Sequence, residues 1–473
     1  MRRAMHVLEG LGPQETATFY DHPYFGQLFL AGVFKVIGYP NSLNIISHLH
    51  SIDMLYIIPR LLMGILAVID TFLIYKISKY RYGKNVGLIS SILFAVMPLS
   101  WFTRRILLDS ILLPFLLSSI LFAICTKAKT DNTNATKKRD EKIKHINKIS
   151  IVLLSGILLG LAIFTKIPSF ASIPLVAFLV FENSNRNWKT LGAWFVPVIL
   201  IPMIWPAFSL LVGQFNYWEN TVIYQIERQG EPFLKTISLL VKIDPVLMIF
   251  AAAGLVFAGL KKDMFILLWT IPILLFFFFI EWEWAPYQSF IPQIPLFCIS
   301  AAVLMVKIID RIKYKKIQKV LPYVGAAAIG VFGLVSTTIL ITTNVTATQF
   351  QTLEFVSQYL NNTKNKSNDI TLVSNPAYSW VFKYIYGMDN VLNEFNDFGN
   401  EPVKTKKILL ISDAESESFD RNTKKLRTLY ENSTQLLKIR GPINNFNIDK
   451  YPYTSMEDVN FEGLYDIEVR IVR

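Results

Sequence analysis

The chain has 473 residues, 52% of them hydrophobic and 14% aromatic, with a mean hydropathy of +0.38. That composition excludes an ordinary soluble domain and points to a protein built in a membrane. The formal net charge of +12 would suit nucleic acid, but the basic residues lie between apolar runs and at their ends, where lipid headgroups and topology account for them, so nucleic-acid binding is set aside.

The first residues, MRRAMHVLEG, are charged and contain no long apolar run. The segment YDHPYFGQ at 20–27 places Asp21 and His22 before Pro23, which fixes the backbone entering an amphipathic helix over 25–37. Asp21 suits either a helix cap or a substrate contact. Runs of roughly 20 apolar residues then predict about ten spans. They lie near 57–78, 86–103, 110–126, 149–166, 169–183, 193–213, 240–260, 264–280, 286–306 and 321–342. The last residues alternate short strand and helix patterns: DITLVS at 369–374, KKILLIS at 406–412, a polar helix near 416–431, QLLKI at 435–439 and IEVRIV at 467–472.

The predicted fold class is therefore a polytopic α-helical membrane protein with a small carboxy-terminal α/β domain. The predicted division is an outer-face segment 1–56, a transmembrane domain 57–342 and an extracytoplasmic domain 343–473. Basic linkers at Lys79 to Lys84, Lys127 to Lys148, Lys261 with Lys262, and Lys307 to Lys319 fall on one face if helices alternate, and the positive-inside rule makes that face cytoplasmic. The tail then lies outside, as do the sequons at Asn344, Asn361, Asn365 and Asn432, while a fifth at Asn134 lies inside. Cys125 and Cys298 fall inside spans and suggest neither disulfide nor metal site.

Charges at membrane depth or at the mouths of spans are costly, and so are candidates for function. They cluster on the predicted outer face. In RRILLDS, Arg104 and Arg105 depart from the charge rule and Asp109 follows; a helix would bring Arg105 and Asp109 onto one face as a structural ion pair. Arg60 stands at the outer end of its span, where it can bind phosphate or snorkel. Lys166 ends GLAIFTK before a proline-containing turn, and its ammonium suits a phosphate oxygen. Weaker candidates are Glu219, Glu227, Arg228, Glu231, Glu281 and Glu283; Trp282, Trp284 and Tyr287 read as interfacial belt residues, and Asp70 and Asp244 as buried helix contacts. No cofactor is indicated; a divalent metal is compatible, but no cluster has ligand spacing.

HPYFGQLFLAGVFKVIG, the stretch PRLLMGILAVID through TRRILLDSILLPF, and GLAIFTKIPSFASIPL together resemble the polyprenyl-phosphate-sugar-dependent transferases of the GT-C fold, family 39 type, in the protein mannosyltransferase and aminoarabinose transferase branch. The resemblance covers roughly 1–180 and continues more loosely through YQSFIPQIPLF at 287–297. It implies a membrane glycosyltransferase that moves a hexose such as mannose, or a related sugar, from a polyprenyl or dolichyl phosphate to a protein, glycan or lipid hydroxyl on the outer face. It assigns His22 with Pro23 to the family's helix start, Arg60 with Leu61 to its Arg-Leu, Arg104 with Asp109 to its Arg-x4-Asp, and Thr165 with Lys166 to its Thr-Lys. Tyr24 departs from the family's second proline. The resemblance also leads to the expectation of a first helix and a catalytic acidic pair ahead of Met1, without which this chain would be inactive. Asp109 is then expected to support catalysis, with Asp21, His22, Arg60, Arg104, Arg105 and Lys166 binding substrate. A transporter or lipid flippase and a silent scaffold are the competing classes.

Overall fold

The computed structural model describes residues 1–13, 22–43, 52–126, 137–227, 233–279, 287–311, 315–342, 347–362, 369–393, 403, 405, 407–413, 423–441 and 466–472. Two compact units make up the chain: Met1–Thr18 with Gln27–Pro59 and Thr338–Arg473, and Phe19–Gly26 with Arg60–Thr337. In chain order the helices are α1 (Arg2–Leu8), α2 (Phe25–Val36), α3 (Met54–Tyr82), α4 (Lys84–Val96), α5 (Leu108–Cys125), α6 (Lys137–Thr165), α7 (Ile173–Asn183) and α8 (Trp188–Leu211). They continue with α9 (Phe215–Glu227), α10 (Phe233–Ile243), α11 (Pro245–Lys261), α12 (Met264–Phe279), α13 (Ile294–Asp310), α14 (Lys315–Thr342) and α15 (Ala347–Asn362).

In its described part, each predicted apolar run coincides with a helix or a bent pair of helices. Among the described residues five helices are long and apolar enough to cross a membrane, or up to seven if each of two bent pairs is one span; α2, Ile149–Thr165 and Ile167–Asn183 are shorter apolar helices. The bends were not foreseen, and prolines explain where two of the breaks fall. Pro98 keeps Met97 extended (φ −70°, ψ 143°), so α4 stops and the 3-10 turn Pro98–Arg104 leaves at 71°. Pro245 likewise keeps Asp244 out of the helical conformation (φ −141°, ψ 74°), so the run predicted at 240–260 is divided between α10 and α11. Between α11 and α12 the chain turns by 115° through Lys262 in the left-handed conformation, and Asp263 caps α12 by accepting from the Phe265 amide at 3.1 Å.

Helices α5 and α6 form an antiparallel hairpin joined at its middle, where the hydroxyls of Ser119 and Ser155 each donate to the other residue's carbonyl, at 2.7 and 2.9 Å. Arg81, in the last turn of α3, lies 3.9 Å from Asp263, which follows α11. Where α11 crosses α13, a Cβ on Gly254 would overlap the Ser300 carbonyl, its carbon at 2.5 Å, and lie 3.2 Å from the Ala301 nitrogen.

In the other unit, β1 (Ile370–Ser374), α16 (Pro376–Tyr384), β2 (Val391–Asn393), β3 (Lys407–Asp413), α17 (Thr423–Glu431), β4 (Thr434–Ile439) and β5 (Ile467–Val472) build a sheet of order β2-β1-β3-β5-β4. β1 runs parallel to β2 and β3, and β5 antiparallel to β3 and β4. The predicted strands are all present; β2 and α16 are additions, and residues 416–422 of the predicted helix lie outside the described ones. Asn375 caps α16 through the Ala377 amide and donates to Asp413 at 2.8 Å, tying the ends of β1 and β3 together.

Glu468 of β5 accepts from Tyr430 at 2.6 Å, Lys438 at 3.0 Å and Arg470 at 2.7 Å. Burial pushes its carboxyl up, but these hydrogen bonds outweigh burial and hold it below the usual value. A depressed folded value stabilises the fold above the unfolded pKa, and that stabilisation is lost as pH falls through the folded one. Amide-exchange protection of β4 and β5 is therefore expected to fall on acidification below the ordinary glutamate range of about 4.3. Glu468→Gln should flatten that dependence; an unchanged profile would remove this role from Glu468.

Candidate functional site

The site forms at one end of the α5–α6 hairpin. Leu107 and Arg105 are extended, so α5 begins only at Leu108 and places Asp109 in its first turn. At the other side α6 ends at Thr165, and Lys166 turns extended before the 3-10 segment Ile167–Ser172. Lys166 Nζ then donates to both oxygens of Asp109, at 3.0 and 2.8 Å. Both residues are buried, with 8% and 3% of their surfaces exposed. Two opposite charges withdrawn from water hold together strongly, and removal of either strands the other.

This geometry corrects the structural alternative for Asp109. The i, i+4 pairing with Arg105 presupposes a helix through both residues, and Arg105 precedes that helix. Its guanidinium lies instead 5.0 Å above the Trp101 ring, and its carbonyl accepts from Ser110 at 2.7 Å. Arg104, half-buried at the end of the Pro98–Arg104 turn, donates from Nη2 to the Ala95 carbonyl, one of those that α4 leaves open where it stops.

The start of α2 closes against the same end. A Cβ on Gly26 would stand 2.6 Å from Leu108 Cδ2 and 3.0 Å from Thr165 Cγ2, neighbours of the two halves of the ion pair. A side chain at this position would have to displace those of Leu108 and Thr165. His22 is half-buried just ahead of it. Tyr24, the departure from the second proline, is buried among aromatic rings: its centroid is 6.2 Å from Phe164 and 5.5 Å from Phe208, and its hydroxyl is 3.4 Å from the Ser209 hydroxyl. Trp205 and Trp218 complete this cluster, and their indole N–H groups have no hydrogen-bond partner among the described residues. Sequence reasoning missed the cluster because Phe164, Trp205 and Phe208 read as ordinary span aromatics, while Tyr24 and Trp218 lie far from them in the chain.

The structure thus joins Asp109 and Lys166 directly and sets the start of α2 beside them, with Arg104 and Arg105 immediately ahead of α5. Arg60 is exposed in the second turn of α3. Glu219 is exposed on α9; Asp21, Arg228, Glu231, Glu281, Trp282, Glu283 and Trp284, with the side chains of Glu227 and Tyr287, lie outside the described residues. Asp244 is a buried helix contact, as expected, whereas the oxygens of buried Asp70 find no hydrogen-bond partner among the described residues. Among the described residues no group of three or more His, Cys, Asp or Glu is placed to hold a metal ion.

Residues 14–226, which contain this whole site, match the family profile described as dolichyl-phosphate-mannose-protein mannosyltransferase. No curated protein matches the chain by sequence. Among solved structures, ArnT from Cupriavidus metallidurans in the apo state is 11% identical with a TM-score of 0.55, over 99% of this chain and 92% of ArnT. The same protein bound to undecaprenyl phosphate gives 11%, 0.54 and the same coverage. The archaeal oligosaccharyltransferase AglB from Archaeoglobus fulgidus, with an inhibitory peptide and a dolichol-phosphate, is 13% identical with a TM-score of 0.51 over 88% of this chain, which spans 65% of AglB. The resemblance and the fold class read from the sequence are both borne out: this is a multi-pass α-helical membrane protein with the GT-C fold and a small carboxy-terminal sheet.

Proposed function

We propose that the chain is a membrane glycosyltransferase that moves a sugar from a polyprenyl-phosphate carrier to an acceptor hydroxyl. The buried Lys166–Asp109 pair, inside the stretch that matches the mannosyltransferase profile, carries this reading. In the reaction the oxygen of the acceptor hydroxyl bonds to the anomeric carbon, the bond from that carbon to the phosphate oxygen breaks, the lipid phosphate departs with the electron pair, and the hydroxyl proton ends on that phosphate or on solvent. A phosphate leaving group needs cations more than an acid.

Lys166 has three N–H donors, two of which Asp109 occupies, so the third is available to a phosphate oxygen. Asp109 is committed through both oxygens and so acts by orienting Lys166. Arg104 and Arg105 supply planar forks suited to the same phosphate, and Arg60 and His22 extend the donor site. The indole donors of Trp205 and Trp218 suit sugar hydroxyls.

The test is transfer of radiolabelled sugar from short-chain polyprenyl phosphates by the purified protein in liposomes. Arg104→Ala is expected to lower the rate about 10²-fold at unchanged protein level, as for loss of one preorganised donor, with Arg104→Lys recovering part of it. Passage of the lipid or sugar across the bilayer without transfer would replace this reading by a transporter.

We place the carboxy-terminal sheet and this site on the extracytoplasmic face, from the distribution of linker charge. With Cys125 and Cys298 replaced, a cysteine at exposed Arg427 is expected to react with an impermeant thiol reagent in intact cells, and one at exposed Lys84 to be protected. Equal labelling would overturn the placement.

A further inference from the structure

Asp244 is 1% exposed, and its carboxylate serves two helix starts at once. Oδ1 accepts from the Leu247 amide at 3.0 Å, capping α11. Oδ2 accepts from the Leu99 amide at 3.2 Å, in the first turn of the 3-10 segment Pro98–Arg104. That segment has no side-chain cap of its own, since Met97 occupies its N-cap position. Both helices open with proline, which lacks an N–H, so the next open amides are the ones a cap must satisfy. A negative carboxylate also suits the positive ends of both helix dipoles.

The segment so capped ends in Arg104, whose guanidinium reaches back to the Ala95 carbonyl, and runs straight into Arg105. On the far side of the break, Thr337 donates to the Val96 carbonyl at 2.6 Å. The break between α4 and the 3-10 segment is thus fixed from α11 on one side and α14 on the other, with one carboxylate setting where the arginine-bearing turn begins.

We propose that Asp244 is a positioning residue for transfer: through the Leu99 amide it holds the Pro98–Arg104 turn and thereby the placement of Arg104. This rests on the glycosyltransferase reading. Asp244 acts through Arg104 and touches no reacting atom.

The test uses the full chain in liposomes and the variant Asp244→Ser, whose short hydroxyl still caps α11 but does not reach Leu99. Hydrogen exchange at 99–104 is expected to quicken at least about tenfold while α11 stays protected, and kcat to fall about 10- to 100-fold, as misplacement of a catalytic group does, with donor KM changed less. In an Arg104→Lys background the same replacement should add little, because its effect passes through that guanidinium. Faster exchange with a wild-type rate overturns the positioning role and leaves the proposed function standing. A full additional loss in the Arg104→Lys background, or exchange that spreads through α11, assigns Asp244 to general stability and also overturns it. Absence of transfer by the unmodified protein, with the exchange result as expected, removes the proposed function and the catalytic role of Asp244 while keeping the clamp.

Discussion

Lys166→Met and Asp109→Asn, each alone, are expected to destabilise the protein and to abolish measurable transfer. Either change leaves one buried charge without its counter-charge, at a cost of about 3–5 kcal/mol. The double variant removes both charges. Because neutral groups often replace a buried pair at little cost, it should recover most of the stability, yet transfer should stay at least about 10²-fold down, since the cation facing the phosphate is gone. Thermal unfolding in detergent and sugar transfer, measured on all four proteins, complete the cycle. A double variant as unstable as the singles would show that the pair is not the source of the loss, and a wild-type rate in Lys166→Met would end its role.

A second large effect is expected at the crossing of α11 and α13. Gly254→Val puts a branched side chain against the Ser300 backbone, which has no flexible end to yield. Overpacking of this kind costs about 1–3 kcal/mol and more where backbone must move. Gly259→Val, on the same helix with nothing within 4 Å of its would-be Cβ, controls for the lower helix propensity of valine. The amount of folded protein recovered should collapse for the first and stay near wild type for the second. Equal behaviour of the two would mean that the helices separate freely at this crossing.

The helices were legible because about 20 apolar residues have few homes outside a bilayer, and strands such as ILLIS because they are short, apolar and β-branched. Averaging over such runs hid their breaks. Pro98 and Pro245 stand in plain view, but the break at each depends on how Met97 and Asp244 leave the helical conformation ahead of them. β2 has three residues, too few to show any alternation. In the site, Asp109 and Lys166 each stood out as charges in apolar surroundings. Their partnership did not, because it spans 57 positions and arises only when α5 and α6 fold back on each other. The nearer Arg105 took its place in a pairing that required helix where the chain is extended.

The same hairpin bears on biogenesis. Asp109 reaches the membrane with the first turn of α5, before its counter-ion at the end of α6 has been synthesised. A lone acid within an inserting helix costs up to about 2.5–3.5 kcal/mol, less near the end of the span. Once Lys166 emerges, that penalty is offset within one pair of consecutive helices, and the Ser119–Ser155 hydrogen bonds are completed in the same step. The unit expected to partition into lipid is then the helical hairpin, in which Lys166, proposed to face the donor phosphate, also neutralises the acid that α5 carries.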